Sequence, residues 1–448
     1  MLFHLIQKAG TVMGHLTPKD GYRQLGRKID RLATRAPWNT TFYDILSALY
    51  TSEEAELIIS MPYGLSTVEV ISKDARMDQS RVQDLLTGLA KKGLVVDLYL
   101  EDTFHYMPSP MVIGIFEFTM MRSGEGLDTG KWAGLFKEYL GQQDDFYRAN
   151  FGKGQKISIM RALPHEGTVA AEEYMEVLDY EKATAIIESQ DRFSIGVCSC
   201  RHEKMHTGEK ECDVPLETCS SFGYAAEYWI RNGLARESSR EEMLDNLQRS
   251  RELGLVLNAD NVQHNITFIC HCCGCCCNAL AGISRHGYAN AVVTSTYMPV
   301  INDDTCNGCG LCEKACPINA IQMQEDTADN NRKKYPVIDT DICIGCGVCA
   351  LKCRKNAIAL EKRTQRVLHP ETTFHRAILQ SLERGTLQYQ LFDSSRSVTQ
   401  KVMRGIVGGF LMLPPVKRAL MSDALRSRFL KLMENGARQL GKGWAVDI

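Results

Sequence analysis

Cysteine is absent before residue 198 and after residue 353, yet 18 of the 448 residues are cysteine. That confinement argues against a secreted disulfide scaffold, which is short and scatters its cysteines along the chain. Tight clustering inside a long chain points instead to metal ligation in a reducing compartment. No run of 18 apolar residues occurs, so no membrane-spanning helix is expected. The N-terminus, MLFHLIQKAG, lacks a basic region followed by a sustained apolar stretch and a small-residue cleavage site. The cytoplasm is therefore the default location. A G-x-G-x-x-G loop after a strand and a P-loop Lys-Ser/Thr are both missing, and FGKGQK (151–156) has neither spacing. An independent flavin or nicotinamide reductase is thus not expected, and electrons must come from elsewhere. A bias of charge is also lacking. The net charge is −2, which argues against an overall nucleic-acid-binding balance. What remains is ordinary globular material, 44% hydrophobic and 24% charged, long enough for two to four domains.

Residues 1–37 are basic and mildly amphipathic, with Lys19, Arg23, Arg27, Lys28, Arg31 and Arg35, and read as a helix or arm. From Thr40 a helical face of Phe42, Ile45, Leu46 and Leu49 appears, and a second helical segment follows Ser66. A third runs from Asp78 through Val82, Leu85, Leu86 and Leu89 to a stop at Gly93. LVVDLYL and TFHYMPS then read as two strands joined by the turn Glu101-Asp102. Helices followed by a hairpin resemble a winged-helix domain, placed at 38–125. Such a domain invites DNA binding, but the third helix sets Arg81, Lys91 and Lys92 against Asp78 and Asp84. That balance is too weak for a phosphate-binding face, so scaffolding or protein docking is favoured. Helices near 130–150 and 180–190 and strands around KISIMRAL and FSIGVC suggest an α/β region, followed by a helical stretch over 224–253 that Gly254 ends.

Two segments repeat one another, DDTCNGCGLCEKACPINAIQM (303–323) and DTDICIGCGVCALKCRKNAIAL (339–360). Each carries C-x2-C-x2-C-x3-C, as Cys306, Cys309, Cys312, Cys316 and as Cys343, Cys346, Cys349, Cys353. Three close thiolates on a Gly-bearing loop can face three irons of one cube, and the displaced fourth points to another. Gly308, Gly310, Gly345 and Gly347 let the backbone turn tightly and bring amides towards sulfur. A zinc ribbon would use two C-x2-C pairs and leave the third cysteine of each triplet idle. The pattern resembles the bacterial two-[4Fe-4S] ferredoxin family, with Pro317 at the family's proline and Arg354 departing from it. The resemblance implies two [4Fe-4S] clusters with crossed ligation. Cys306, Cys309, Cys312 and Cys353 would hold one, and Cys343, Cys346, Cys349 and Cys316 the other. Lys352 and Arg354 would favour the reduced form of a nearby cluster.

Ten cysteines lie upstream. Cys198, Cys200, Cys212 and Cys219 form one sequence group, enough thiolates for one cubane. Cys270, Cys272, Cys273, Cys275, Cys276 and Cys277 form the other, too dense to be packing alone. One or two further Fe–S clusters are expected here, a second cubane or a non-cubane or double cluster. Zinc and redox thiols are the alternatives. Among the nearby histidines, His271 is the first candidate for a non-cysteine ligand and His202 the second. The triplet Cys272-Cys273-Gly274 resembles part of the cysteine-rich domain of heterodisulfide reductases, whose function is not carried over. The organisation over 155–362 resembles multi-cluster ferredoxin proteins of anaerobic bacteria.

Residues 361–448 hold 15 Lys+Arg and 7 Asp+Glu, net +8. KVMRGIVGGFLMLPPVKRAL and ALRSRFLKLM are apolar with basic flanks, and packing or partner docking is favoured over contact with a membrane surface. The expected architecture is α+β and multidomain. After the N-terminal arm (1–37) come the winged-helix-like domain (38–125), a cysteine-rich α/β domain (126–298), the two-[4Fe-4S] ferredoxin-like module (299–362) and a helical basic tail (363–448). The expected function is relay of low-potential electrons to or from a partner oxidoreductase, as an electron-transfer subunit rather than a stand-alone enzyme. A reductase built on a cluster at 198–277 and a redox-sensing regulator are the two alternatives.

Overall fold

The computed structural model describes residues 18–175, 177–325, 334–364, 367, 369–394 and 396–447. The first 17 residues of the expected N-terminal arm lie outside them. The rest of that arm is not peripheral. Helix α1 (Pro18–Ile29) buries Leu25 and Ile29, and Leu32 and Ala36 follow them into the core that holds Phe42, Ile45 and Leu46. Arg23 and Arg27 point outward, whereas Lys28 is buried with the leucine stripe.

The face expected after Thr40 divides into two helices. α2 (Thr40–Leu49) is capped by Asn39, whose side chain accepts from the Phe42 amide at 2.8 Å. α3 (Ser52–Ser60) starts with a reciprocal Thr51–Glu54 capping box. α4 (Val68–Ala75) and α5 (Gln79–Lys91) follow, the latter capped by the Asp78 carboxylate. β1 (Val95–Leu100) and β2 (Thr103–Pro108) then pair antiparallel. Both turn residues, Glu101 and Asp102, have positive φ, as a two-residue hairpin turn requires. The hairpin docks inward: Tyr228 donates to the Val95 carbonyl at 3.1 Å, and Arg231 and Asn232 hold the Asp97 carboxylate at 3.0 and 2.7 Å. α6 (Phe116–Met121), α7 (Thr129–Phe136) and α8 (Asp145–Phe151) close this N-terminal core, which extends to Tyr147.

The centre is a six-stranded antiparallel sheet in the order β3-β7-β8-β5-β4-β6. Its strands are β3 (Met160–Leu163), β4 (Phe193–Val197), β5 (Glu217–Phe222), β6 (Ala235–Glu237), β7 (Val256–Asp260) and β8 (Phe268–Cys272). Between them run α9 (Ala171–Tyr174), α10 (Ala183–Glu188), α11 (Ser199–His206), α12 (Gly223–Arg231) and α13 (Arg240–Leu253). The expected single helical stretch over 224–253 is broken by β6. Gly233, with φ +69, ends α12, and the chain returns to pair with β4. Gly254, with φ +70, terminates α13 as the sequence predicted. α10 and α13 cover one sheet face, with Ile186, Ile187, Met243, Leu257 and Ile269 in that core. α14 (Asn278–Ser284) follows β8.

The ferredoxin-type segment pairs β9 (Tyr297–Ile301) with β12 (Ile358–Lys362), and β10 (Ile321–Glu325) with β11 (Lys334–Ile338). Short helices α15 (Leu311–Ala315) and α16 (Val348–Leu351) carry the last cysteines of each triplet. The tail folds as α17 (Thr373–Arg384), α18 (Leu387–Leu391), α19 (Val398–Leu411), α20 (Pro414–Met421) and α21 (Asp423–Gln439) around Ile378, Leu382, Leu411 and Phe429. α19 turns Val398, Val402, Ile406 and Phe410 outward. No helix among the described residues is long and apolar enough to cross a membrane.

Candidate metal centres

Strand alternation decides which residues of FICHC meet the metal sites. Phe268, Cys270 and Cys272 line a cavity of about 120 Å³, while Ile269 packs under α13 and His271, though it too borders the cavity, turns its ring nitrogens to α13 and β5. His271 is therefore not placed as a ligand. Its Nδ1 lies 2.6 Å from the Ser250 hydroxyl, and its Nε2 lies 3.0 Å from Ser220 and 3.1 Å from Asn246 Nδ2. Ser250 donates to the Asn246 carbonyl, so it accepts from Nδ1–H and leaves Nε2 as the acceptor. Burial, with Arg201 nearby, pushes this histidine down to about 3, and it stays neutral. His202 is also engaged elsewhere, with Nδ1 2.6 Å from the Met120 carbonyl and Nε2 3.1 Å from His206.

The ten upstream cysteines do not divide as their sequence groups suggested. Eight of them, Cys198, Cys200, Cys219, Cys270, Cys272, Cys273, Cys276 and Cys277, line the cavity at the sheet face opposite α13. Cys200 meets Cys277, Cys277 meets Cys272, Cys272 meets Cys270, and Cys270 meets Cys219. The β5–β8 pairing brings Cys219 and Cys270 together, with Ser220 opposite Ile269. Cys198 and Cys277 occupy the N-cap positions of α11 and α14. Their sulfurs take backbone N–H groups of Arg201 and Leu280, as a capping oxygen would. Burial pushes Cys198 up to about 12, so a bound metal rather than solvent would have to stabilise its thiolate.

Cys273 and Cys276 also gather with Cys212 and Cys275, which are not part of the cavity lining, into a compact quartet at the cavity's edge. Cys212 thus leaves Cys198, Cys200 and Cys219 and joins the Cys273–Cys276 turn. Arg201 is fully buried between the two thiol groups and donates to the Thr218 hydroxyl and the His271 carbonyl. Against the burial that disfavours charge, Cys198, Cys273 and Cys272 hold its guanidinium ionised.

The cavity's other wall is apolar, made of Phe116, Phe118, Met121, Tyr147 and Trp229, with Glu117 its one carboxylate. Burial raises Glu117 to about 7, and its Oε2 accepts from the Gly114 amide at 3.1 Å. Beside it Ile113 holds φ +48, a left-handed conformation that costs a β-branched residue about 1–2 kcal/mol. Strain of that kind collects at sites rather than in plain scaffolding. Glu117, Arg201 and Ile113 carry no sequence signature and were not anticipated.

In the ferredoxin-type segment Cys306, Cys309, Cys312 and Cys353 line one pocket. Cys316, Cys343, Cys346 and Cys349 line a second. Each set offers four thiolates, the complement of one cubane. Amides reach the sulfurs, Ala320 N–H to Cys316 at 3.1 Å and Ala357 N–H to Cys353 at 3.3 Å. Such bonds spread cluster charge and raise the potential. Cys309 is exposed, whereas every thiol of the second set is buried or half-buried. Burial pushes Cys346 up to about 12.

The second pocket is clamped by His165 and Ser295 of the central domain and by Arg363 at the end of the ferredoxin-type segment. The His165 amide donates to the Cys346 carbonyl at 3.1 Å, Ser295 to the Gly345 carbonyl at 2.8 Å and Arg363 to the Cys343 carbonyl at 2.7 Å. Gly274 lies directly on Pro317, the neighbour of Cys316, where a Cβ would stand 2.9 Å from the proline carbonyl oxygen. Lys352, expected to act on a cluster by charge, donates to the Glu252 carbonyl at 2.9 Å.

Comparison with known proteins bears on this segment. A 4Fe-4S dicluster domain family matches residues 305–365. The ferredoxin-type protein NapF of Haemophilus influenzae is 56% identical over 27 residues, which cover 6% of this chain and 15% of that protein. No solved structure gives a significant match. Residues 305–365 are therefore a 4Fe-4S ferredoxin-type segment, and iron–sulfur electron transfer is the chemistry it brings to the chain.

Proposed function

We propose that this protein conducts low-potential electrons inward along a series of clusters, in exchange with a partner oxidoreductase. The outer cluster rests on Cys306, Cys309, Cys312 and Cys353, and the inner on Cys316, Cys343, Cys346 and Cys349. A further polynuclear cluster rests on cavity thiols among Cys198, Cys200, Cys219, Cys270, Cys272 and Cys277. The supporting observation is the contact of Gly274, in the cysteine-rich turn, with Pro317 beside the inner pocket, while Cys309 opens the outer pocket to solvent. A partner would dock over Cys309. Eighteen unpaired cysteines fit a reducing, cytoplasmic setting. The cofactors themselves supply the electron chemistry. The chain's part is to ligate them, exclude water and offset their charge, the last through Arg201.

The test is a count of iron and acid-labile sulfide in anaerobically purified protein, with EPR of the reduced form. About twelve to sixteen irons per chain support a multi-cluster relay, and about eight, the content of two cubanes, confine it to the ferredoxin-type segment.

The apolar cavity wall favours a second reading, a reductase. A small apolar substrate would sit against Phe116, Phe118 and Trp229, with Glu117 as proton donor. Substrate-dependent change in the cluster spectrum, lost in Glu117→Gln, would separate it from a pure relay. A winged-helix role in DNA binding is not favoured. Arg81 pairs with Glu53 and Lys92 with Glu54, so two of the three basic residues of that face are already matched.

A further inference from the structure

The thiol quartet at the cavity's edge, two of whose members line the cavity, has a geometry unlike that of any other thiol group here. The ligand atoms of Cys212, Cys273, Cys275 and Cys276 all lie within 4.8 Å of one another. Cys212 Sγ is 3.6 Å from Cys273 Sγ and 3.9 Å from Cys276 Sγ, and Cys275 Sγ is 3.5 Å from Cys276 Sγ. Four sulfurs around one tetrahedral ion at about 2.3 Å stand about 3.8 Å apart, the edge of that tetrahedron. Four thiolates on a cubane each bind a different iron, so they are spread around an inorganic core.

The same chain supplies the control. Among the described residues this is the one such donor group gathered within 4.8 Å, so neither ferredoxin quartet nor the other six thiols of the cavity lining reach that density. Their spacing suits polynuclear cores, and that of the quartet suits a single ion. The surroundings agree. The buried Arg201 guanidinium stands beside Cys273. Lys210 donates to the Cys212 carbonyl. Two cations thus stand beside a centre that four thiolates and one divalent ion would leave doubly negative.

We propose that Cys212, Cys273, Cys275 and Cys276 form a mononuclear tetrathiolate centre for one soft divalent cation, zinc or ferrous iron, separate from every cluster. Soft thiolates select such ions over magnesium or calcium. The centre ties the loop after α11 to the Cys273–Cys276 turn, 61 residues away in sequence. That turn carries Gly274 against Pro317, so the ion braces the segment that touches the inner ferredoxin pocket.

The experiment uses the full chain, purified without oxygen. Zinc, iron and acid-labile sulfide are measured together, and X-ray absorption is recorded at the zinc and iron edges. The expected result is about one ion per chain beyond the sulfide-matched iron, bound by four sulfurs at about 2.3 Å. If it is zinc, the zinc edge shows that shell without a metal–metal distance. If it is ferrous iron, zinc is absent and the iron exceeds the cluster content by one. Cys212→Ser should lose that one ion and keep all sulfide. Should the variant not fold, the wild-type measurement decides. Loss of sulfide together with several irons in Cys212→Ser would overturn the proposal in favour of a cluster. Absence of any ion beyond sulfide-matched iron in the wild type would overturn it in favour of free thiols. The ferredoxin reading is scored independently, by the sulfide count.

Discussion

Gly310 and Gly347 occupy the same position in the two cysteine repeats and share a left-handed backbone, with φ +73 and +83. Alanine at either position costs about 1–2 kcal/mol for that conformation alone. The surroundings differ. A Cβ at Gly310 would find only Met323 Cγ at 3.7 Å, ordinary contact. At Gly347 it would stand 2.4 Å from Thr168 Oγ1 and 3.1 Å from Leu360 Cδ1. Thr168 cannot simply swing aside, because its hydroxyl donates to the His165 carbonyl at 2.7 Å. Overpacking of this kind adds roughly 1–3 kcal/mol, giving about 2–5 kcal/mol for Gly347→Ala. At roughly 2–4 °C per kcal/mol, Gly347→Ala should therefore unfold about 2–12 °C below Gly310→Ala. The assay is thermal bleaching of cluster absorbance under anaerobic conditions, with iron counted before heating. Gly347→Ala should also lose the inner cluster's iron preferentially. Equal midpoints and equal iron in the two variants would refute the packing of the central domain on the inner pocket.

Crossed ligation makes Cys353→Ala a lesion of the outer cluster and Cys316→Ala a lesion of the inner. EPR of each reduced variant should show that the surviving signal belongs to the repeat that carries the substitution. Arg201→Gln removes a buried cation between two thiol groups, so potentiometry should show harder reduction, and denaturation a loss of about 3–5 kcal/mol. Lys28 is buried, and burial chiefly, with Arg404 and Arg31 against Asp393 and Asp74, pushes it down to about 7. Its amine donates to the Met61 carbonyl and lies over the Tyr63 ring. The unfolded chain keeps this proton to a higher pH, so stability should rise from about pH 7 towards pH 10, by up to about 1.4 kcal/mol per unit. Urea midpoints across that range should lose this slope in Lys28→Met.

Local patterns were legible because local geometry sets them. The hairpin turn, the Asp78 cap, the Gly254 stop and the repeated C-x2-C-x2-C-x3-C all need only neighbours in sequence. The partition of the upstream cysteines was not legible, because strand register sets it. Cys219 meets Cys270 across β5 and β8, and Cys212 crosses to Cys273, through contacts that no spacing encodes. Period-two alternation through Phe268-Ile269-Cys270-His271-Cys272 was the one available signal against His271, had that segment been read as a strand. Glu117 and Arg201 gave no signal, since a lone carboxylate or guanidinium acquires meaning only from what folds around it. The interruption at β6 was hidden by charged residues that suit a helix surface and an edge strand equally.

The clamp around the inner pocket also bears on how the protein is made. Gly345 lies under the Tyr297 carbonyl, Gly347 under Thr168, and Cys346 is tied through its carbonyl to His165. Those contacts hold the Cys343–Cys349 loop from its backbone side, while Cys316 and Cys343 stay half-buried at the rim. The loop that carries three thiols of the inner set is thus shaped by residues made earlier in the chain, Thr168, His165 and Tyr297. Folding of the central domain and competence of the inner thiol set to take up iron are thereby coupled, so a lesion in either should be felt in the other.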